Sequence, residues 1–343
     1  MQQNKNYIRL DEITLMRFVL AILIVLLHSF TCFQGVWAEP EGFIEIDFYK
    51  WIARFCTSFT LESFVFISGY LLAFQIIFLK RKVRGKNLLI SKFKRLIVPS
   101  IFFSFFYFLF FLEYKGFGNA LYSVINGSGH MWFLPMLFWC FMGAWLIEKL
   151  RINDYLKLFL LLLLNLFWPK NLPLQMTAAT DFLYFFYLGY IVYKHSSFSK
   201  KIFSGYQLIM GWGVYLVVFY LLFSLKLSIH NSDFITYKLL PIYERNLCQI
   251  SYATLGTLLF YLTAKWYTRN YTIHSFTVKI SSLCFGIYLF QQFILKGLYY
   301  KTGFTSLVGP YWFPWLGFII TLFLSSFLSL LFVKNRLGRF LIG

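Results

Sequence analysis

Apolar runs long enough to cross a bilayer recur along this chain, and they decide its fold class before any motif is read. About 20 apolar residues span the hydrocarbon core as a helix. Ten runs are read here, at residues 13–33, 51–79, 96–112, 131–147, 156–168, 182–193, 208–225, 247–264, 283–295 and 311–333, the fifth, sixth and ninth being short. The expected fold is therefore all-α, a polytopic transmembrane helix bundle of about ten spans. It forms one integral-membrane domain across residues 1–343, with no soluble domain. Composition agrees, since 59% of residues are hydrophobic and only 13% charged. A soluble surface needs far more charge. The longest loops, 34–50, 80–95 and 226–246, are too short to fold alone. The first run lacks a small-residue cleavage site, so it is expected to stay as a helix. No internal repeat of the transporter kind is seen.

Charge orients the runs. With the amino terminus in the cytoplasm and the runs alternating, cytoplasmic segments hold 22 Lys and Arg and external ones eight, with Arg17 and Arg54 inside runs. That asymmetry satisfies the positive-inside rule and places both termini in the cytoplasm. The expected location is a bacterial cytoplasmic (inner) membrane, crossed many times. The net charge of +19 then reflects topology and anionic lipid partners. Nucleic acid is excluded as a partner, because the basic residues are spread over six separate segments. The five cysteines lie in or beside runs and read as small buried hydrophobes. No metal-ligand spacing, phosphate-cradling glycine loop or nucleophile elbow is present.

Polar residues inside the runs carry the function. Arg17 and His28 are eleven residues apart in the first run, about three helical turns, so they share one face about 16 Å apart along the axis. Charged groups at membrane depth are costly and functional by default. A neutral imidazole accepts a proton at physiological pH, as a general base must. His28 reads as the one deep histidine, with His130 and Trp132 at the outer interface and His195, His230 and His274 solvated in loops. Glu62, at mid-depth in the second run, has two readings. It either fixes the His28 tautomer by a hydrogen bond, as the carboxylate of a hydrolase triad does, or pairs structurally with Arg17 or Arg54. Ser68-Gly69 is read as close helix packing or as a position near substrate. Lys92 and Arg95, three apart, share a face if helical; they suit either a phosphorylated ligand at the cytoplasmic mouth or, as composition favours for most of this basic stretch, topology-setting charge against lipid headgroups.

In order, these pieces resemble the membrane-bound acyltransferase 3 family of polysaccharide and lipid acyltransferases. The likeness rests on Arg17-x10-His28, on Glu62-Ser63-Phe64-Val65-Phe66-Ile67-Ser68-Gly69-Tyr70, on Lys92-Phe93-Lys94-Arg95-Leu96-x-x-Pro99 and on Trp132-Phe133-Leu134. It implies an O-acyltransferase, with acetyl-CoA the expected donor and a hydroxyl of a cell-surface or lipid-linked glycan the acceptor. By the same resemblance His28 is the catalytic base or acyl-transfer residue, and Arg17, Lys92 and Arg95 engage the CoA phosphates or orient the thioester. Ser68, Trp132 and Gln291 are the substrate-side candidates, including donors to the oxyanion. The chain departs from the family in having Lys92 where Arg is frequent. It also has Gln291-Gln292 where many members carry a His, and Gln bonds an acceptor but is no base. A polysaccharide exporter or polymerase is the other class compatible with the spans. Intramembrane charge concentrated in the first two runs favours a compact site over a translocation path.

Overall fold

A computed structural model describes residues 9–81, 85–167, 172–195, 203–229 and 247–342. Among them the chain is all-α, with no strand. The helices are α1 (Asp11–Ser29), α2 (Asp47–Thr57), α3 (Thr60–Ala73), α4 (Gly85–Lys92), α5 (Val98–Phe111), α6 (Phe117–Asn126), α7 (Phe133–Ile147) and α8 (Asp154–Phe167). They continue as α9 (Met176–Lys194), α10 (Gly205–Ile229), α11 (Cys248–Asn270), α12 (Ser275–Lys301), α13 (Phe304–Val308), α14 (Phe313–Lys334) and α15 (Arg336–Ile342).

Each of the ten expected spans coincides with a helix, but the count of ten is not established. Seven helical stretches among the described residues are long and apolar enough to cross a membrane. The three that fall outside that group are α8, α9 and α11. With 14 residues, α8 is about 21 Å long, short of a hydrocarbon core about 30 Å thick. His230 and most of the loop 226–246 lie outside the described residues.

The first helix is central. It packs against α3, α11, α12 and α14, and Met16, Leu20 and Ile24, spaced one turn apart, are fully buried. Arg17 lies beside Cys284, and His28 meets Gln291, so α1 and α12 run parallel. Glu12, at the start of α1, accepts a hydrogen bond from Tyr70 near the end of α3, so those two run antiparallel.

Backbone-to-backbone contact locks α3 to α9. A Cβ on Gly69 would overlap the carbonyl of Phe186, and one on Gly189 would overlap the carbonyl of Phe66. Small residues allow such approach in membrane helices, so Gly69 serves packing. Faces of α3 are thereby assigned. Gly69 and the Phe66 carbonyl turn to α9, Ser63 reaches Thr257 of α11, and Leu61, Phe64, Ser68 and Leu71 turn to a cavity.

All five cysteines are buried. Glu148 and Asp154 join α7, α8 and α9 at one end of the bundle. Buried Lys157 lies 3.4 Å from Glu148 and 3.5 Å from Asp154. Lys194 lies 3.4 Å from Glu148 and 2.9 Å from Asp154, and His195 is 2.9 Å from Asp154. His195 is thus engaged rather than simply solvated, whereas exposed His274 caps α12 by accepting from the Phe276 N–H.

Candidate active site

Two cavities lie along α1, one at the level of Arg17 and one at the level of His28. The first, about 230 Å³, is lined by Arg17, Lys92 and Arg95 together with Ser68, Gln75 and a wall of Leu and Phe. Among the described residues no carboxylate lines it. Two departures from regular helix shape it. The π-turn Phe74–Phe78 presents Gln75, and the π-turn Phe93–Ile97 follows Lys92 and contains Arg95. Such turns recur at functional sites because the inserted residue redirects its neighbours. The Lys92 ammonium stands 3.7 Å from the centroid of the Phe141 ring, a cation–π contact. Three cations with no lining counter-charge define an anion site, and the guanidinium forks match phosphate oxygens.

The second cavity, about 410 Å³, is lined by His28, His130, Thr31, Gln34, Trp37, Trp132, Tyr107, Gln292 and Lys296, among others. Nδ1 of His28 lies 2.9 Å from the carbonyl oxygen of Ile24 and 3.0 Å from Oε1 of Gln291. A carbonyl only accepts, so Nδ1 carries the proton and Nε2 keeps its lone pair. The His28 ring stacks on Trp37 at 6.0 Å. His130 is the second imidazole, its centroid 6.5 Å from that of His28. Nε2 of His130 donates to the Leu289 carbonyl at 3.1 Å. Its Nδ1 is buried and has no partner among the described residues. Tyr288 donates to the His130 carbonyl, and Tyr107 donates to Gln292 at 3.3 Å.

The two cavities share a wall. Leu61, Phe133 and Tyr288 line both. A cation-lined anion site and a base-bearing site are therefore separated by three side chains, on one helix face.

Not every expected residue falls where the sequence placed it. Arg17, Lys92 and Arg95 do converge, and Trp132 lines the His28 cavity. Ser68 lines the cation cavity instead, and its hydroxyl donates to the Phe64 carbonyl at 3.0 Å. Gln291 lies behind His28 and outside the lining of its cavity, so it positions the base, while Gln292 faces the cavity. Glu62 is not brought to His28. One position along α3 from Leu61, it is rotated by about 100° away from the cavity face. It is buried beside Tyr215, Tyr252 and Gln249, and its Oε2 has no hydrogen-bond partner among the described residues. His130 is buried within the bundle. Gly129, at φ +58°, has no room for a Cβ against the Tyr107 ring. That positive-φ turn tucks the segment inward. The Gly-His pair was the available signal for it. Tyr107 and Lys296 carried none, because alone each reads as an ordinary helix residue, while Gln292 was marked only by the family resemblance. Among further aromatic residues Trp37 lines the cavity, while Tyr311 is exposed and its carbonyl accepts from Tyr49.

A bundle of apolar helices enclosing a cation-lined pocket back to back with a histidine pocket defines an integral membrane protein with a two-sided internal site. A family model described as an acyltransferase domain, acyltransferase 3, matches residues 10–334. The chain belongs to that family and is an acyltransferase, transferring groups other than amino-acyl groups. No curated protein and no solved structure matches it significantly. Membership sets aside the exporter or polymerase reading.

Proposed function

We propose that this protein moves an acyl group, acetyl in the simplest case, from cytoplasmic acyl-CoA to a hydroxyl of a cell-surface or lipid-linked glycan on the far side of a bacterial cytoplasmic membrane. The reading rests above all on the wall shared by the Arg17 cavity and the His28 cavity. The asymmetry of Lys and Arg supports a cytoplasmic position for both termini, and in that orientation the cation-lined cavity faces the CoA pool. Arg17, Lys92 and Arg95 hold the phosphates of the donor. Its pantetheine arm follows the α1 face toward Leu61, Phe133 and Tyr288, bringing the thioester to His28.

The chemistry follows from the tautomer. Nε2 of His28 takes the proton of the acceptor hydroxyl as that oxygen attacks the thioester carbonyl. The C–S bond of the tetrahedral intermediate then breaks, the ester forms, and the CoA thiolate leaves with the proton returned from the imidazolium. Gln291 and the Ile24 carbonyl hold Nδ1–H, so the ring presents the same nitrogen throughout. The apolar wall keeps bulk water from the thioester, which disfavours hydrolysis. Trp37 and Trp132 offer flat faces for a sugar ring.

Mass spectrometry of surface glycans from cells with and without the protein tests this directly. The expected result is a mass difference of one acyl group per modified sugar, absent in the His28→Ala strain. Identical glycans in all three strains would overturn the proposal.

A further inference from the structure

Lys296 is a cation with no carboxylate beside it, among the described residues, in the pocket proposed to receive the acceptor. It lies in the last part of α12, one turn beyond Gln292, and both line the His28 cavity. Its ammonium stands 5.3 Å from the centroid of Trp37 and 5.2 Å from that of Tyr107, between two rings of the same cavity. Among the described residues no Asp or Glu lines the cavity, and none forms an ion pair with Lys296. The other titratable groups there are His28, His130, Tyr107 and Tyr288.

A half-buried ammonium with no counter-ion among the described residues is costly. Two aromatic faces offset part of that cost by cation–π attraction. They also hold the ammonium within the cavity rather than letting it snorkel to the bilayer surface. Gln34 and Gln292 add amides at the same pocket. The arrangement has the parts of an anion subsite: one fixed positive charge, neutral hydrogen-bonding neighbours and no competing carboxylate.

We propose that Lys296 is the anion-recognition residue of the acceptor cavity, so that the preferred acceptor carries a carboxylate or phosphate close to the hydroxyl that is acylated. This rests on the acyltransferase reading above and narrows its acceptor to an acidic one. The charge has two possible sources, an acidic sugar or a phosphate on a lipid carrier. In either case the ion pair sets acceptor affinity, while His28 sets the rate.

The test is equilibrium binding to the detergent-solubilised full chain, without acyl-CoA. Three probes are used: a glucuronate-containing oligosaccharide, its neutral counterpart of the same linkage, and a short-chain prenyl-phosphate sugar. A charge-assisted contact predicts that one acidic probe binds the wild type about tenfold or more tighter than the neutral one. Lys296→Gln removes that advantage and leaves neutral-probe binding in place, and Lys296→Arg keeps most of it. The tighter acidic probe identifies the source of the charge. Equal binding of all three probes by the wild type overturns the proposal. So does an undiminished acidic preference in Lys296→Gln, or equal loss of all three probes in that variant. A transfer assay on the same samples separates this from the parent reading. Acidic binding through Lys296 without acyl transfer removes the acyltransferase reading of this cavity and leaves the subsite standing. Transfer to neutral and acidic acceptors with the same KM, unchanged in Lys296→Gln, does the reverse. A loss confined to kcat and equal for every acceptor assigns Lys296 to the reacting carbonyl and overturns the subsite.

Discussion

His28 and Gln291 are 263 residues apart in sequence and 3.0 Å apart in space. Gln291 is the side-chain half of a clamp whose other half is the Ile24 carbonyl. Together they leave Nε2 of His28 as the free base. Gln291→Ala is expected to lower kcat by about 10–100-fold, the range for removing an orienting partner. KM for acyl-CoA should move little. The Ile24 carbonyl remains, which keeps the loss below that of removing the imidazole. Steady-state kinetics on purified variant and wild type decide it. A raised KM for acyl-CoA at unchanged kcat would place Gln291 with the donor instead.

Arg17→Ala and Arg95→Ala are expected to act on the donor. Each removes a charge-assisted contact worth about 1.5–3 kcal/mol. That corresponds to a rise of about 10–150-fold in KM for acyl-CoA, with the acceptor KM nearly unchanged. Arg→Lys should be better tolerated at exposed Arg95, beside Lys92, than at Arg17, where a planar fork reaches toward Cys284. Saturation curves against acyl-CoA read this out. An unchanged curve for either alanine variant would remove that residue from the donor site.

Glu62→Gln is expected to leave kcat of the folded enzyme within about threefold of wild type, well under the 10²–10⁴-fold typical of a general-base loss. The carboxylate lies on the α10–α11 side of α3, among Tyr215, Tyr252 and Gln249. Any effect should appear in accumulation or thermal stability. Folded protein with a rate loss of a hundredfold or more would restore Glu62 to the reaction.

Stability should depend on pH through the α7–α9 junction. Burial alone raises the Glu148 carboxyl, but hydrogen bonds from Tyr187 and Tyr190 and the charges of Lys194 and Lys157 outweigh it and hold it below its ordinary 4.5. Burial opposes Asp154 likewise, and Lys194 and His195 hold it below 3.8. A depressed folded-state value stabilises the fold fully above the ordinary value and loses that contribution as pH falls through the folded one. The midpoint of thermal unfolding in detergent should therefore fall as pH drops below about 4.5. Glu148→Gln should lower the midpoint at neutral pH and flatten the acid slope. Equal acid slopes in variant and wild type would contradict the assignment.

How much of this was legible in the sequence depends on whether a signal is local. The Arg17–His28 pair was readable because both lie on one helix, where spacing fixes the face. Lys92 and Arg95 were readable for the same reason, although a π-turn rather than a plain α-turn carries them into the cavity. The span count was less readable, since a short helix such as α8 satisfies the pattern of apolar residues without the length. The partner of His28 was not readable. Glu62 had the right chemistry, but its rotation on α3 is set by the Gly69–Gly189 contact with α9, a tertiary fact. Gln291 took the place because α12 runs parallel to α1 and repeats its contacts, Cys284 at Arg17, Ile287 near Ile24, Gln291 at His28. The burial of His130 was not readable, because a Gly-His-Met-Trp segment at a helix start does not reveal how its turn folds.

The central claim is that a donor held beside Arg17 gives up its acyl group to an acceptor activated by His28. It is tested by transfer of radiolabelled acetyl from acetyl-CoA to glycan in proteoliposomes containing equal amounts of folded wild type and His28→Ala. Loss of a general base predicts at least about a hundredfold fall in labelled glycan, with acetyl-CoA binding retained. A His28→Ala protein that transfers label at the wild-type rate would contradict the account.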